Sequence, residues 1–325
     1  MFNAKVDSPI FYRGMARIFY LALLVCSVAC ISQPSIGSEE SAECEEGTLT
    51  FKLPYDSITK IESEEDYKRY VAHYWDDFRF DIGEEVDRYN TEEIYSAFAQ
   101  YVMSIPETLA DSLLRTLIHR AESSRPVLDF FADMAHEVLY DPNSPLRNDE
   151  YYIPILEELC KSPLLDEYDR KIPEYTLHIA KQNRLRSIAN DFRYRLSNGR
   201  SNTLHNIDAD YTILLFNNPG CEMCKAVIDE VEHSEKLKEL STKYSIVTLA
   251  IYPDEDIEAW RQYLPSMPKG WICGYDEAMT LTHDRLYDLK AIPSLYLLDR
   301  RKHVLIKDGV SIEHVVSIIS QGIQL

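Results

Sequence analysis

Basic side chains are scarce in this chain: 34 Lys and Arg stand against 54 Asp and Glu, for a formal net charge of -20 over 325 residues. The acids are spread along the sequence, which excludes a nucleic-acid surface and adsorption to an anionic membrane face, since both need a basic patch. Cysteine is sparse as well, and seven residues are too few for a disulfide scaffold of this length. There is no H-E-x-x-H, Walker loop or G-x-S-x-G, so the common signatures of metalloproteases, nucleotide-binding loops and serine hydrolases are missing. Paired acids such as Asp76-Asp77 and Glu84-Glu85 are adjacent, splay apart on a helix and form no organised hydrolytic pair. No apolar run reaches the roughly 20 residues that a bilayer crossing needs.

What is present begins with a short basic and apolar segment. Arg17, the apolar stretch Ile18 to Val25, and Ser27-Val28-Ala29-Cys30 read as an export signal over residues 1–29, with Met15 a second candidate start. The small residues before Cys30 resemble the cleavage box of bacterial lipoprotein precursors, which implies a lipid anchor at Cys30 and a soluble part in the periplasm or at the cell surface. Cleavage without lipid is the alternative. Residues 30–50 are Ser/Glu-rich, without apolar periodicity, and read as an acidic tether. Disulfides persist in such a compartment.

Residues 51–188 carry helical periods. Tyr67, Val71, Tyr74, Trp75 and Phe78 follow spacings of three and four and predict one broad apolar face, a reading that also absorbs the His73 to Asp76 cluster as packing. Asn90 with Glu93 predicts a capping box, Pro106 and Pro126 mark helix starts, and Asp141 to Pro145 a turn. Five or six helices are expected, with Cys160 at the end of one as a partly buried thiol.

From residue 189 the period changes. A hairpin turning at Asn198-Gly199 precedes a continuous apolar strand from Tyr211 to Phe216, then a helix from Cys221 through Leu240. Further strands and helices follow. The expected architecture is α + α/β: a helical N-terminal domain, then residues 189–325 as an α/β sandwich around a mixed sheet of about five strands, with an N-terminal β-hairpin extension.

Cys221 and Cys224 lie between that strand and helix. A C-x-x-C there places the first thiol at a helix N-terminus, where free N–H groups and the helix dipole favour the thiolate, and the second one turn further in, able to resolve a mixed disulfide. A structural zinc site would need two more ligands, and Cys273, His233 and His283 lack paired spacing. A dithiol redox centre is therefore the leading reading, with metal binding or inert thiols as the others, and no metal or cofactor is expected. Cys273 is either a core thiol or an auxiliary redox partner.

The hairpin after Asn190-Asp191-Phe192, the strand into Cys221-Glu222-Met223-Cys224-Lys225, and Ile292-Pro293-Ser294 before an apolar strand resemble thioredoxin-like proteins of the periplasmic TlpA/ResA type. The helical region with its His73 to Phe80 segment looks like the DUF5106 domain of Bacteroidetes lipoproteins. This resemblance implies a thiol-disulfide oxidoreductase with a cis Ile292–Pro293 bond facing the cysteines, the backbone of Ile292 binding extended substrate. It also implies disulfide-containing envelope proteins as substrates; the chain has no nicotinamide or flavin motif, so the dithiol is expected to be regenerated by an upstream thiol reductant protein.

Departures from the relatives' pattern stand at Leu215, where a buried acid is common, at Gly220 in place of Trp, and at Glu222-Met223 in place of Gly-Pro. Glu222 opposes and Lys225 favours a thiolate at Cys221, which points to a reducing or weakly oxidising centre. The competing reading is a non-catalytic envelope protein using the fold as a binding platform.

Overall fold

The computed structural model describes residues 49–52, 61–309 and 311–325. The export signal, Cys30, most of the tether and Cys44 lie outside these residues. The chain divides into two compact units that meet at Arg170 and Lys171, inside one helix and ahead of the expected border at 188/189.

In the first unit the helices start where the sequence supplies caps. Ser63 opens α1, Glu64–Ala72, its side chain accepting from the Asp66 N–H. The chain leaves the helix at His73 and runs on as turns, yet Tyr74, Trp75 and Phe78 stay buried. The apolar period thus marked the packed face but overshot the helix.

A 3₁₀ segment, Phe80–Arg88, leads into α2, Thr91–Ser104. Asn90 caps α2 by accepting from the Glu92 N–H at 3.1 Å. Pro106 precedes α3, Glu107–Ala121, and Pro126 sits in the first turn of α4, Arg125–Leu139, positions where a missing N–H costs nothing. Asp141 closes the turn after α4 by accepting from the Asn143 N–H at 2.7 Å. Then come α5, Asp149–Leu159, ending beside a half-buried Cys160, and α6, Glu167–Ala180. The core is aromatic: the Phe131 ring lies 5.3 Å from Trp75, 5.1 Å from Phe78 and 5.4 Å from Phe80.

The second unit takes α6 from Lys171 on, and the carbonyls of Ala180, its last residue, and of Gln182 in the turn beyond accept from the Lys307 ammonium at 2.8 and 2.7 Å. Its sheet is built from β1 Arg193–Leu196, β2 Ser201–Thr203, β3 Tyr211–Phe216, β4 Ile246–Tyr252, β5 Ile272–Tyr275, β6 Ser294–Asp299 and β7 Val304–Gly309, in the order β2-β1-β5-β4-β3-β6-β7. β3 runs parallel to β4 and antiparallel to β6. The sheet has seven strands where about five were expected, because the hairpin joins it edge-on through β5, a strand too short to stand out in sequence. Gly274 permits that junction, since a Cβ there would lie 2.7 Å from the Tyr194 ring.

The helices of this unit are α7 Glu222–His233, α8 Glu235–Leu240, α9 Ile257–Tyr263, α10 Thr280–His283 and α11 Ile312–Ser320. The single helix expected from Cys221 to Leu240 is broken at Ser234, which takes an extended conformation and accepts from the Leu237 N–H, restarting the helix as α8. A serine hydroxyl competes well for such an N–H. Alternation along β3 feeds two cores: Ile213 and Leu215 pack with Val227, Ile228 and Val315, while Leu214 and Phe216 pack with Phe192, Tyr287 and Tyr296.

Candidate active site

β3 is buried along its whole length, so the strand is rigid and its carboxyl end is a fixed platform. One residue on, the backbone N–H of Asn217 donates to Ile251 O at 3.1 Å, prolonging the ladder with β4. Asn218 donates its side-chain N–H to Asp254 Oδ2 at 2.6 Å, tying the loop after β3 to the loop after β4. Gly220 then turns the chain at φ +76°, a left-handed conformation in which the tryptophan of the relatives would be strained. A glycine before the pair is what this turn requires.

Cys221 is the N-cap of α7, and its sulfur accepts from the Cys224 N–H at 3.1 Å. Cys221 is half-buried and Cys224 wholly buried. The two are joined as a disulfide, with Cα atoms 5.2 Å apart. The asymmetry gives each sulfur a role: only that of Cys221 can be reached from solution, while Cys224 can be reached only through it.

Opposite, Ile292–Pro293 is a cis peptide bond. The antiparallel register sets Ser294 beside Phe216, which brings the residue pair before β6 to the end of β3. Ile292 O lies 3.8 Å from the Cys221 sulfur. Both residues are half-buried, leaving a backbone edge beside the disulfide. Glu222, Met223 and Lys225 are all exposed on the first turn of α7, Met223 at 63%.

The acid position of the relatives is filled by Leu215, wholly buried against Val227 and Ile228 of α7. Cys273 lies in the same row of the sheet, paired with Ala250, which pairs with Leu215. That row is two strands across and six residues back from Cys221. Burial pushes the Cys273 thiol up to about 11, so it is protonated at neutral pH and a poor nucleophile. These facts favour the core-thiol reading over an auxiliary one. Among the described residues no group of three His, Cys, Asp or Glu side chains could hold a metal ion. His73, far from this site in sequence, pairs on the surface with Asp76 at 2.7 Å while Tyr74 and Trp75 fill the core.

The sequence did not point to Asn218 or Asp254. Their 36-residue separation has no local pattern, and only the parallel pairing of β3 with β4 sets their loops side by side.

A C-x-x-C at the start of a helix, facing a cis-proline across the end of a mixed sheet, defines the thiol-disulfide oxidoreductase class of fold. Comparison with known proteins agrees. A crystal structure of a thioredoxin-like protein from Bacteroides caccae is 35% identical, with a TM-score of 0.78, and the match covers 84% of this chain and 99% of that one. The chain therefore belongs to the thioredoxin-like proteins. Residues 29–183 match the DUF5106 family model, a domain of unknown function. Nucleoredoxins of Danio rerio and Xenopus laevis are 31% and 29% identical over 104 and 114 residues, 32% and 35% of this chain. The matched part spans only about a quarter of their own length, 24% and 27%.

Proposed function

We propose that the chain is a thiol-disulfide oxidoreductase that reduces protein disulfides in the cell envelope, held there by lipid on Cys30. The observation that carries the reading is the division of exposure within one disulfide: Cys221 half open at a helix N-terminus, Cys224 sealed beneath it. In the reduced protein the Cys221 thiolate attacks a substrate disulfide. One S–S bond breaks, a mixed disulfide forms, and one substrate thiolate leaves. Cys224, deprotonated, then attacks the Cys221 sulfur and restores the intramolecular disulfide, releasing the second substrate thiolate. Two electrons pass to the substrate, and a thiol reductant protein returns them by the same exchange in reverse.

The helix N-terminus favours the Cys221 thiolate, while the exposed carboxylate of Glu222 works against it. That balance supports a reducing or weakly oxidising centre. A Cys221 pKa below about 5, the acidic end of the C-x-x-C range, would overturn this part of the reading. Reduction of insulin by the full chain, compared with the Cys221→Ser variant, tests catalysis itself: equal rates would leave no catalytic role for the pair. Palmitate incorporation that survives Cys30→Ser would rule out the anchor.

A second reading has one observation in its favour. With Leu215 in the acid position, no carboxylate serves Cys224 from that place in the strand, as a non-catalytic binding platform would allow. An absence of insulin reduction by both the full chain and Cys221→Ser would favour it over the first.

A further inference from the structure

The reacting sulfur of Cys221 stands at the sheet edge where β3 and β4 end together, Phe216 paired with Ile251. Ligand sites of parallel sheets form outside these carboxyl ends, because the loops diverge there. The loop after β4 carries Asp254, Glu255 and Asp256 in succession. It is fastened to the cysteine loop: the Cys221 N–H donates to Asn218 O at 3.4 Å, and the Asn218 amide donates to Asp254 Oδ2 at 2.6 Å. Glu255 and Asp256 are exposed, and Asp256 caps α9 by accepting from the Ala259 N–H at 2.9 Å. Glu222, next to Cys221, is exposed too.

The cations nearby do not cancel this. Lys225 is one positive charge on α7, against the four carboxylates of Glu222 and the β4 loop. Lys290, two residues before Ile292, is paired with Asp288 at 2.6 Å, and both side chains are largely buried. On β1, Arg195 is paired with Glu277. Burial first, then Asp254, Asp256 and Glu255, hold the hydroxyl of Tyr252, at the end of β4, above its ordinary range. Beside the sulfur, the Met223 side chain is 63% exposed, giving a partner apolar surface to cover.

We propose that this exchange site selects protein partners whose reacting cysteine lies among lysine or arginine side chains, which Glu222 and the Asp254 to Asp256 loop attract. The inference rests on the redox reading above and adds the partner's chemistry to it. The carboxylates are not themselves the site; they bias which disulfide reaches Cys221. Steering of this kind acts on the association rate and fades with salt.

The test uses the full chain, reduced, with two looped disulfide peptides that differ only in bearing lysines or glutamates beside the cysteines, and with a small neutral disulfide as reference. The lysine peptide is expected to exchange roughly tenfold faster at low ionic strength, the low end of electrostatic steering. The advantage should collapse in about 1 M salt, where the screening length is ~3 Å. In the double variant Glu255→Gln, Asp256→Asn, which keeps a capping side chain on α9, the ratio of the two peptide rates should drop by about threefold, a share of the same steering effect. Equal peptide rates beside normal exchange with the neutral disulfide would overturn the partner inference alone, as would a ratio unaltered in the double variant. No exchange with any of the three would overturn the redox reading and this inference with it.

Discussion

In the helical unit, Phe131 is enclosed by Trp75, Phe78 and Phe80, and charged residues pair with one another away from those rings, as half-buried Arg115 does with exposed Asp111, half-buried Glu157 and buried Glu158. In the sheet unit, the buried strands are just as apolar, but they end at one edge, and the loops leaving that edge carry Cys221, Asp254 and Ile292. Both units use burial of large side chains for stability. They differ in what the chain does when it leaves the core. Helix starts in the first unit are set one by one, by a capping side chain or a proline, whereas β3, β4 and β6 bring their ends to a common place. Convergence of strand ends, more than composition, is what assembles reactive groups from distant parts of the sequence.

That contrast can be broken or sharpened. The largest effect is expected from Cys221→Ser, which should lower disulfide reduction by on the order of a thousandfold or more, because the first attack is lost. Cys224→Ala should instead leave the first attack and accumulate a mixed disulfide on Cys221, visible by mass spectrometry on non-reduced protein. A variant that reduced insulin without Cys221 would show that the chemistry is not concentrated at the sheet edge.

Next in size is Phe131→Ala, which should cost the helical unit about 3–5 kcal/mol through the cavity left among the rings. Chemical denaturation followed by tryptophan fluorescence would measure it, since Trp75 packs on that ring.

Asp133 should give a smaller, pH-dependent effect. Burial, then Asp129 and Glu137 on the same helix, push its carboxyl up to about 7, and on α5 the buried Tyr152 faces it. From about pH 4 to 7 the folded unit holds this proton and the unfolded chain does not, so stability falls as pH rises through that window and levels off above it. Asp133→Asn should flatten the slope and stabilise the unit at pH 8 by on the order of 2 kcal/mol. Melting temperatures across that range would show it. An unchanged slope would mean that the proton sits elsewhere.

The smallest effect is expected from Asn90→Ala. It removes the hydrogen bond to the Glu92 N–H and should cost about 1 kcal/mol, typical of a lost helix cap, in the same denaturation experiment.

Much of the fold was legible because the signals were local. Pro106 and Pro126 marked helix starts, Asn198-Gly199 marked the hairpin, and the unbroken apolar run of β3 marked a central strand. Where the reading went astray, the cause was non-local or a single competing hydrogen bond. The apolar period through Phe78 described a buried face and could not tell a helix from turns packed on the same core. Ser234 interrupted a periodic helix through one hydroxyl. β5 has four residues and is a strand only because β4 and β1 lie on either side of it.

The sequence by itself determined the segments that are apolar on one face, the caps and turns between them, and a C-x-x-C placed at a helix start. Each depends on residues within a turn or two of one another. Only the tertiary structure decided that Cys221 is open and Cys224 closed, that Ile292 O sits 3.8 Å from the sulfur across 71 residues, and that Asp254 holds the cysteine loop. Those relations follow from strand register, and register is fixed by which buried faces must meet, a property of the whole sheet and not of any one stretch of chain.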